Sequence, residues 1–279
     1  LNEHIDKGTR HLVDVEVSAD HVRNVHQNVE KMHFSSLIKL EVGKTIDTNE
    51  PVYLSINDNT KYNNCHIAVA GNSGTGKTQF ALDFISQIHE KSNGHVNYIY
   101  LDFKGLKQDD VKGYEKFFNG TETEFIDVPK TQFPVNPLTF IDNVNESDKN
   151  MGIDKFVDIV CKYSNLGIKQ RGKLREATSE AFMEQLDGTY PTIPQVNEKL
   201  QEIYDKQDTL TEIMNDLSRY KIFLEDHKNE SNFFNKNLYL SLSGDLPTSV
   251  RFTSLFLIIN YIYNTFMNMD NSPSENNIK

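Results

Sequence analysis

The chain has 279 residues, with 29 Lys and Arg against 40 Asp and Glu and a formal net charge of −11. That length suits one large domain or two small ones, and the negative balance excludes a uniformly polybasic nucleic-acid coat while leaving room for a local basic groove. Two cysteines, Cys65 and Cys161, stand far apart with no CxxC or Cys/His cluster, so neither a zinc site nor a disulfide framework is encoded, and a reduced cytoplasmic setting is the economical reading.

The sequence opens on Leu1 with no basic run leading into an apolar stretch, so no signal peptide is expected and the chain reads as a piece of something longer. Residues 1–60 read as a small helix-hairpin module. Ser18 can cap a helix carrying Val22, Val25, Val29 and Met32 at helical spacing. Two strand-like runs follow, Leu37 to Val42 and Pro51 to Ile56, joined by a polar connector with Gly43 and Asp47-Thr48-Asn49.

Residues 61–145 read as the first part of an α/β core. His66-Ile67-Ala68-Val69-Ala70 is short and apolar and ends at glycine, which predicts a buried parallel strand covered on both faces. Beyond a glycine-rich loop, Phe80, Ala81, Phe84, Ile85 and Ile88 keep one helical face apolar to about Glu90. Asn93-Gly94 breaks that helix, and a second strand runs from Val96 to Leu101, ending at Asp102. Strand, helix, strand in this order is a right-handed βαβ unit. A third strand, Phe125 to Val128, is closed by Pro129 and the turn from Phe133 to Leu138.

Residues 146–230 show repeated helical periodicity, as at Ile153, Phe156, Val157 and Val160, and read as an all-helical insertion. Residues 231–270 resume the core with a strand, Leu238 to Leu242, a polar turn, Ser243 to Pro247, and an apolar helix from about Val250 to Phe266. Residues 271–279, at the end of an Asn/Ser/Pro-rich stretch, read as flexible. The most apolar stretch, Leu255 to Tyr263, falls far short of the roughly 20 residues a transmembrane helix needs, so no membrane partner is expected.

The chemistry concentrates in Gly71-Asn72-Ser73-Gly74-Thr75-Gly76-Lys77-Thr78, which fits G-x-x-x-x-G-K-[ST] without a mismatch. Glycines let the backbone wrap a phosphate chain, so that the N–H groups of the loop and first helical turn point inward as donors. Lys77 adds a full positive charge on the β- and γ-phosphates and stabilises charge in phosphoryl transfer, Thr78 offers a hydroxyl to Mg²⁺, and Gln79 completes the set expected at bound ATP. An ordinary glycine-rich turn is the bland alternative. Hydrolysis also requires a carboxylate for Mg²⁺ and a group that orients water. Asp102, ending an apolar strand, and Asp245, set off the next strand's tip by a Ser-Gly spacer, are the candidates, each equally readable as a polar residue closing a strand, and neither is followed by an acidic neighbour.

The run from His66 to Thr78 resembles the P-loop strand of the HerA/FtsK superfamily of DNA-pumping ATPases, in which a histidine often opens the strand. Asp102-Phe103-Lys104-Gly105 resembles that family's Asp-Pro-Lys-Gly element, with Phe103 in place of proline, and Val135-Asn136-Pro137-Leu138 resembles its Asn-Pro-Leu turn. The resemblance covers about residues 50–145 and 235–266, and among the branches the ATPases of bacterial DNA-defence loci, including the DptH type of phosphorothioation-dependent restriction, are nearest. It implies a RecA-like P-loop NTPase core, assembly into a ring whose sites are completed between subunits, action on double-stranded DNA, defence-system partner proteins, and second-shell or sensor roles for Asp102 and Lys104. It also implies a further strand ending in Asp-Glu, the Walker B carboxylates, downstream of Lys279.

Lys162, Lys169, Arg171, Lys173 and Arg175 crowd five positive charges with no Asp or Glu between them, either a DNA-facing surface or a solvated helix face. Arg251, before an apolar helix, is either an inter-subunit arginine finger or a surface arginine. The nine His form no metal-ligand spacing, and Tyr and Phe fall at core rather than base-stacking positions. The reading is an ATP-binding motor domain that moves on or remodels double-stranded DNA. The alternatives are a nucleotide-dependent switch that assembles partners without processive hydrolysis, and a small-molecule kinase.

Overall fold

The structure is a computed structural model and describes residues 38–58, 60–62, 64, 66–186, 188–226 and 233–268. The helix expected over Ser18 to Met32 and the terminal segment 271–279 lie outside the described residues. The chain divides into two compact units, with the boundary between Val96 and Asn97.

In the first unit, β1 (Lys39–Lys44) and β2 (Pro51–Ser55) form the expected antiparallel hairpin, with Leu40 opposite Leu54 and a bulge between Glu41 and Gly43. The connector is stapled by Thr45, whose N–H donates to the Glu50 carbonyl at 2.9 Å and whose hydroxyl meets that of Thr48 at 2.6 Å. Helix α1 (Lys77–Lys91) starts directly at the glycine-rich loop and ends where predicted: Gly94, at φ +73°, sends its N–H back to the His89 carbonyl at 2.8 Å. The helix buries Leu82 most deeply, whereas the predicted stripe from Phe80 to Ile88 is half-buried. The hairpin is tied to α1 by Gln87, whose amide accepts from the Glu41 N–H at 2.8 Å and donates to the Glu41 carbonyl at 3.0 Å. A side chain thus satisfies the backbone groups that an edge strand leaves open.

The run His66–Ala70 departs from expectation. It forms no strand and is exposed, Ile67 and Val69 each by 46%. A parallel strand is stable only with a partner for its backbone groups, and β1 and β2, the strands described in this unit, pair with each other.

The second unit holds a three-stranded parallel sheet, β3 (Ile99–Asp102), β4 (Thr123–Val128) and β5 (Asn237–Leu242), in the order β3-β5-β4. All six residues of β5 are buried, as a central parallel strand demands. The second predicted strand is shorter than expected, starting at Ile99 rather than Val96, and the third is longer, starting at Thr123. Asn237 laces the strand starts together: its amide donates to the Thr121 carbonyl at 2.8 Å and accepts from the Tyr98 N–H at 3.2 Å. A short helix, α2 (Glu115–Gly120), lies between β3 and β4.

Between β4 and β5 come α3 (Glu146–Tyr163), α4 (Ile168–Met183), α5 (Ile193–Ile203) and α6 (Thr209–Arg219), and after β5 comes α7 (Thr248–Asn268). Their starts obey local chemistry: Asn145, Thr192 and Asp208 each cap with a side-chain oxygen. Phe156, Val160, Leu174, Leu200 and Met214 share one buried cluster with Ile126 of β4, Leu240 of β5 and Leu257 of α7. Asn136, 2% exposed, organises the turn before α3: its side-chain oxygen accepts from the Leu138 N–H at 3.0 Å, and its amide donates to the Pro191 and Asp226 carbonyls, each at 2.9 Å. The architecture is a mixed helix and strand fold with a parallel sheet, as expected. Among the described residues, no helix is long and apolar enough to cross a membrane.

Candidate nucleotide-binding site

The expected phosphate loop lies between the His66–Ala70 run and α1, and all of Gly71, Asn72, Ser73, Gly74, Thr75 and Gly76 are exposed. Gly74 and Gly76 have φ of +81° and +84°, backbone geometry that L side chains rarely adopt. Gly76 in this conformation is the residue from which α1 springs. The N–H groups of Lys77, Thr78 and Gln79 belong to the first helical turn, where no intrahelical acceptor exists, and the helix dipole adds positive potential there. The Lys77 ammonium curls over the loop, donating to the Gly71 carbonyl at 2.8 Å and the Asn72 carbonyl at 2.6 Å. The residues singled out by the sequence are therefore side by side, with donors and a cation gathered at one helix start.

This donor set suits a polyphosphate. Were Mg²⁺ to accompany it, the hydroxyl of Thr78 in the first turn of α1 would be a candidate ligand, with phosphate oxygens and water filling the remaining positions around the ion. Among the described residues, no group of three His, Cys, Asp or Glu side chains is placed to hold a metal ion.

In the second unit, Asp102 closes β3 and each of its carboxylate oxygens accepts from the chain. One oxygen accepts from the Lys104 N–H at 2.9 Å; the other accepts from the Leu106 N–H at 2.8 Å and the Tyr239 hydroxyl at 3.0 Å. Burial, with the neighbouring Asp102 charge, pushes the Tyr239 phenol well above its usual range and keeps it a donor. Asp102 thus acts here as the anchor of its own loop. Gly105 lets that loop close: at φ +79°, a Cβ on it would lie 2.5 Å from the Leu242 carbonyl oxygen. Lys104 is exposed, and Asp245, also exposed, pairs with Lys107 at 3.4 Å. The Arg251 guanidinium lies over the Phe103 ring and donates to the Phe103 carbonyl, an engagement within the chain that neither sequence reading of Arg251 described.

The basic cluster is largely neutralised. Arg171 pairs with Asp158 at 2.8 Å and Asp154 at 3.4 Å, Arg175 with Asp154 at 3.0 Å, and Lys173 with Glu176 at 2.7 Å. The two aspartates sit four residues apart on α3 and the two arginines four apart on α4; the aspartates precede the cluster in sequence, and no local pattern pairs them with it.

Comparison with known proteins adds to this geometry. No curated protein matches the chain. The fold is similar to the structure of VirB4 of Thermoanaerobacter pseudethanolicus, at a TM-score of 0.55 and 14% identity over 82% of this chain. The matched region spans 64% of the length of that protein. Residues 22–123, which include the whole glycine-rich loop and the Asp102 to Gly105 element, match the model of the FtsK/SpoIIIE family.

Proposed function

We propose that this chain is the ATP-binding motor domain of a protein that hydrolyses ATP to translocate on, or remodel, double-stranded DNA. The observation that carries the reading is the cation-capped loop at the start of α1, inside the segment similar to the FtsK/SpoIIIE family. Gly71 to Gln79 bind the phosphates of ATP, Lys77 stabilises the charge of the transferring phosphoryl group, and Thr78 ligates Mg²⁺. Self-association into a ring completes the sites between subunits, as the resemblance to the HerA/FtsK superfamily implies. The His66 to Thr78 and Asp102 to Gly105 motifs resemble the HerA/FtsK superfamily; its branch in DNA-defence loci, together with the sparse cysteines, supports a cytoplasmic role in restriction with defence-system partner proteins.

A second reading, a nucleotide-dependent switch that assembles partners, is favoured by one observation: both Asp102 oxygens are occupied by the chain itself. ATP turnover with and without duplex DNA separates the two. A motor speeds up with duplex; a switch keeps a DNA-independent basal rate and forms concentration-dependent oligomers. Absence of ATP binding by the folded chain overturns both.

A further inference from the structure

The three glycines of the loop meet two different needs. Gly74 and Gly76 have positive φ and open space where a Cβ would stand. Gly71 has neither property: a Cβ there would lie 2.7 Å from the Thr75 hydroxyl oxygen. The Thr75 hydroxyl is therefore tucked into the room that Gly71 leaves, and from there it donates to the Asn72 carbonyl at 2.8 Å. That same carbonyl accepts from the Lys77 ammonium at 2.6 Å and, more weakly, from the Thr75 N–H at 3.4 Å. A carbonyl oxygen has two lone pairs, and the hydroxyl and the ammonium are its two closest donors.

We propose that Thr75 is a positioning residue of this site. Its hydroxyl holds the Asn72 carbonyl turned into the loop, and that carbonyl, together with the Gly71 carbonyl, holds the Lys77 ammonium where the terminal phosphates of a nucleotide arrive. The proposal rests on the nucleotide reading above. It goes beyond the G-x-x-x-x-G-K-[ST] pattern, in which the position of Thr75 accepts any residue. The geometry makes Gly71 and Thr75 a matched pair, one side chain absent so that the other can reach its acceptor.

The test is titration of the full chain with fluorescent ATP and ADP analogues in the presence of Mg²⁺, alongside thermal melts. Thr75→Val keeps the branched shape and removes the donor, and Thr75→Ala repeats the test without crowding Gly71. The expected result is an ATP affinity lowered about fivefold, the scale of one hydrogen bond. The ADP affinity falls less, because the lysine answers the β- and γ-phosphates. Thr75→Ser restores wild-type binding, and the melting temperature is the same in every variant. ATP binding unchanged in Thr75→Val and Thr75→Ala, equal losses for ATP and ADP, or failure of serine to restore binding would each overturn the proposal while leaving the nucleotide reading intact. Wild-type protein that binds neither analogue removes the nucleotide reading itself, and this proposal with it.

Discussion

Arg251 holds Phe103 in two ways at once: its guanidinium carbon sits 4.2 Å from the centre of the Phe103 ring, and its terminal nitrogen donates to the Phe103 carbonyl. The start of α7 is thereby fastened to the loop that follows β3. Arg251→Ala is expected to destabilise the fold by about 1–2 kcal/mol, from a cation–π contact and a hydrogen bond lost together. Urea unfolding measures this. An inter-subunit finger predicts the opposite pattern, an unchanged urea midpoint with ATP turnover lost.

Gly105→Ala is expected to be worse. Its φ of +79° is unfavourable for alanine, and the added Cβ would press on the Leu242 carbonyl oxygen at 2.5 Å and the Gly244 nitrogen at 2.7 Å. A loss of at least about 2 kcal/mol is expected, visible as a lower urea midpoint. An unshifted midpoint would show that the Asp102–Leu106 loop does not close on β5 in solution.

Lys77→Ala removes the ammonium that bridges the Gly71 and Asn72 carbonyls. Nucleotide affinity is expected to fall on the order of a hundredfold, consistent with losing charge-assisted bonds to phosphate. The circular dichroism spectrum stays the same, since the loop is exposed. Equilibrium binding of labelled ATP is the measurement, and unchanged affinity contradicts the phosphate-loop assignment.

Arg171 and Arg175 already face Asp154 and Asp158. Replacing both arginines with alanine is expected to leave duplex-DNA affinity and its salt dependence unchanged, and to lower stability by less than about 1 kcal/mol for each partly exposed pair. A flatter plot of log affinity against log salt in the double variant would mean that these side chains meet phosphates after all.

Cys161 is buried, and burial pushes its thiol up to about 11 from an ordinary value of 9.0. Folding therefore favours the neutral thiol. Its contribution is fully present below pH 9 and is lost as pH rises through 11. Cys161→Ala is expected to weaken the decline of stability over that interval, and Cys161 in a Cys65→Ser background is expected to resist thiol alkylation at pH 8 until the protein unfolds.

Much of this was legible beforehand because local pattern and local structure agree. The strand-like runs around Leu40 and Val52 form the hairpin, the stripe from Ile153 to Val160 forms α3, and Asn93-Gly94 ends α1. What remained hidden depends on neighbours distant in sequence. Nothing local reveals that Gln87 clasps Glu41, that Asp154 and Asp158 neutralise two arginines, or that Tyr239 shares Asp102 with its own loop. The apolar texture of His66–Ala70 predicts a strand that the structure does not form, because composition records a preference for burial, while strand formation also requires a partner edge. At the site itself the motif marks the loop, but only the three-dimensional arrangement distinguishes Gly71, which makes room, from Gly74 and Gly76, which bend the chain.

The sheet order β3-β5-β4 has a consequence for biogenesis. Of the three described strands of this sheet the central one is translated last, after the whole run from α3 to α6, so β3 and β4 leave the ribosome with the gap between them unfilled. Closing that gap requires a large chain loop to form before any ladder bond rewards it, which slows folding and leaves two bare edges waiting. A nascent chain stalled before Asn237 exposes both edges, and one extended beyond Leu242 carries the strand that joins them.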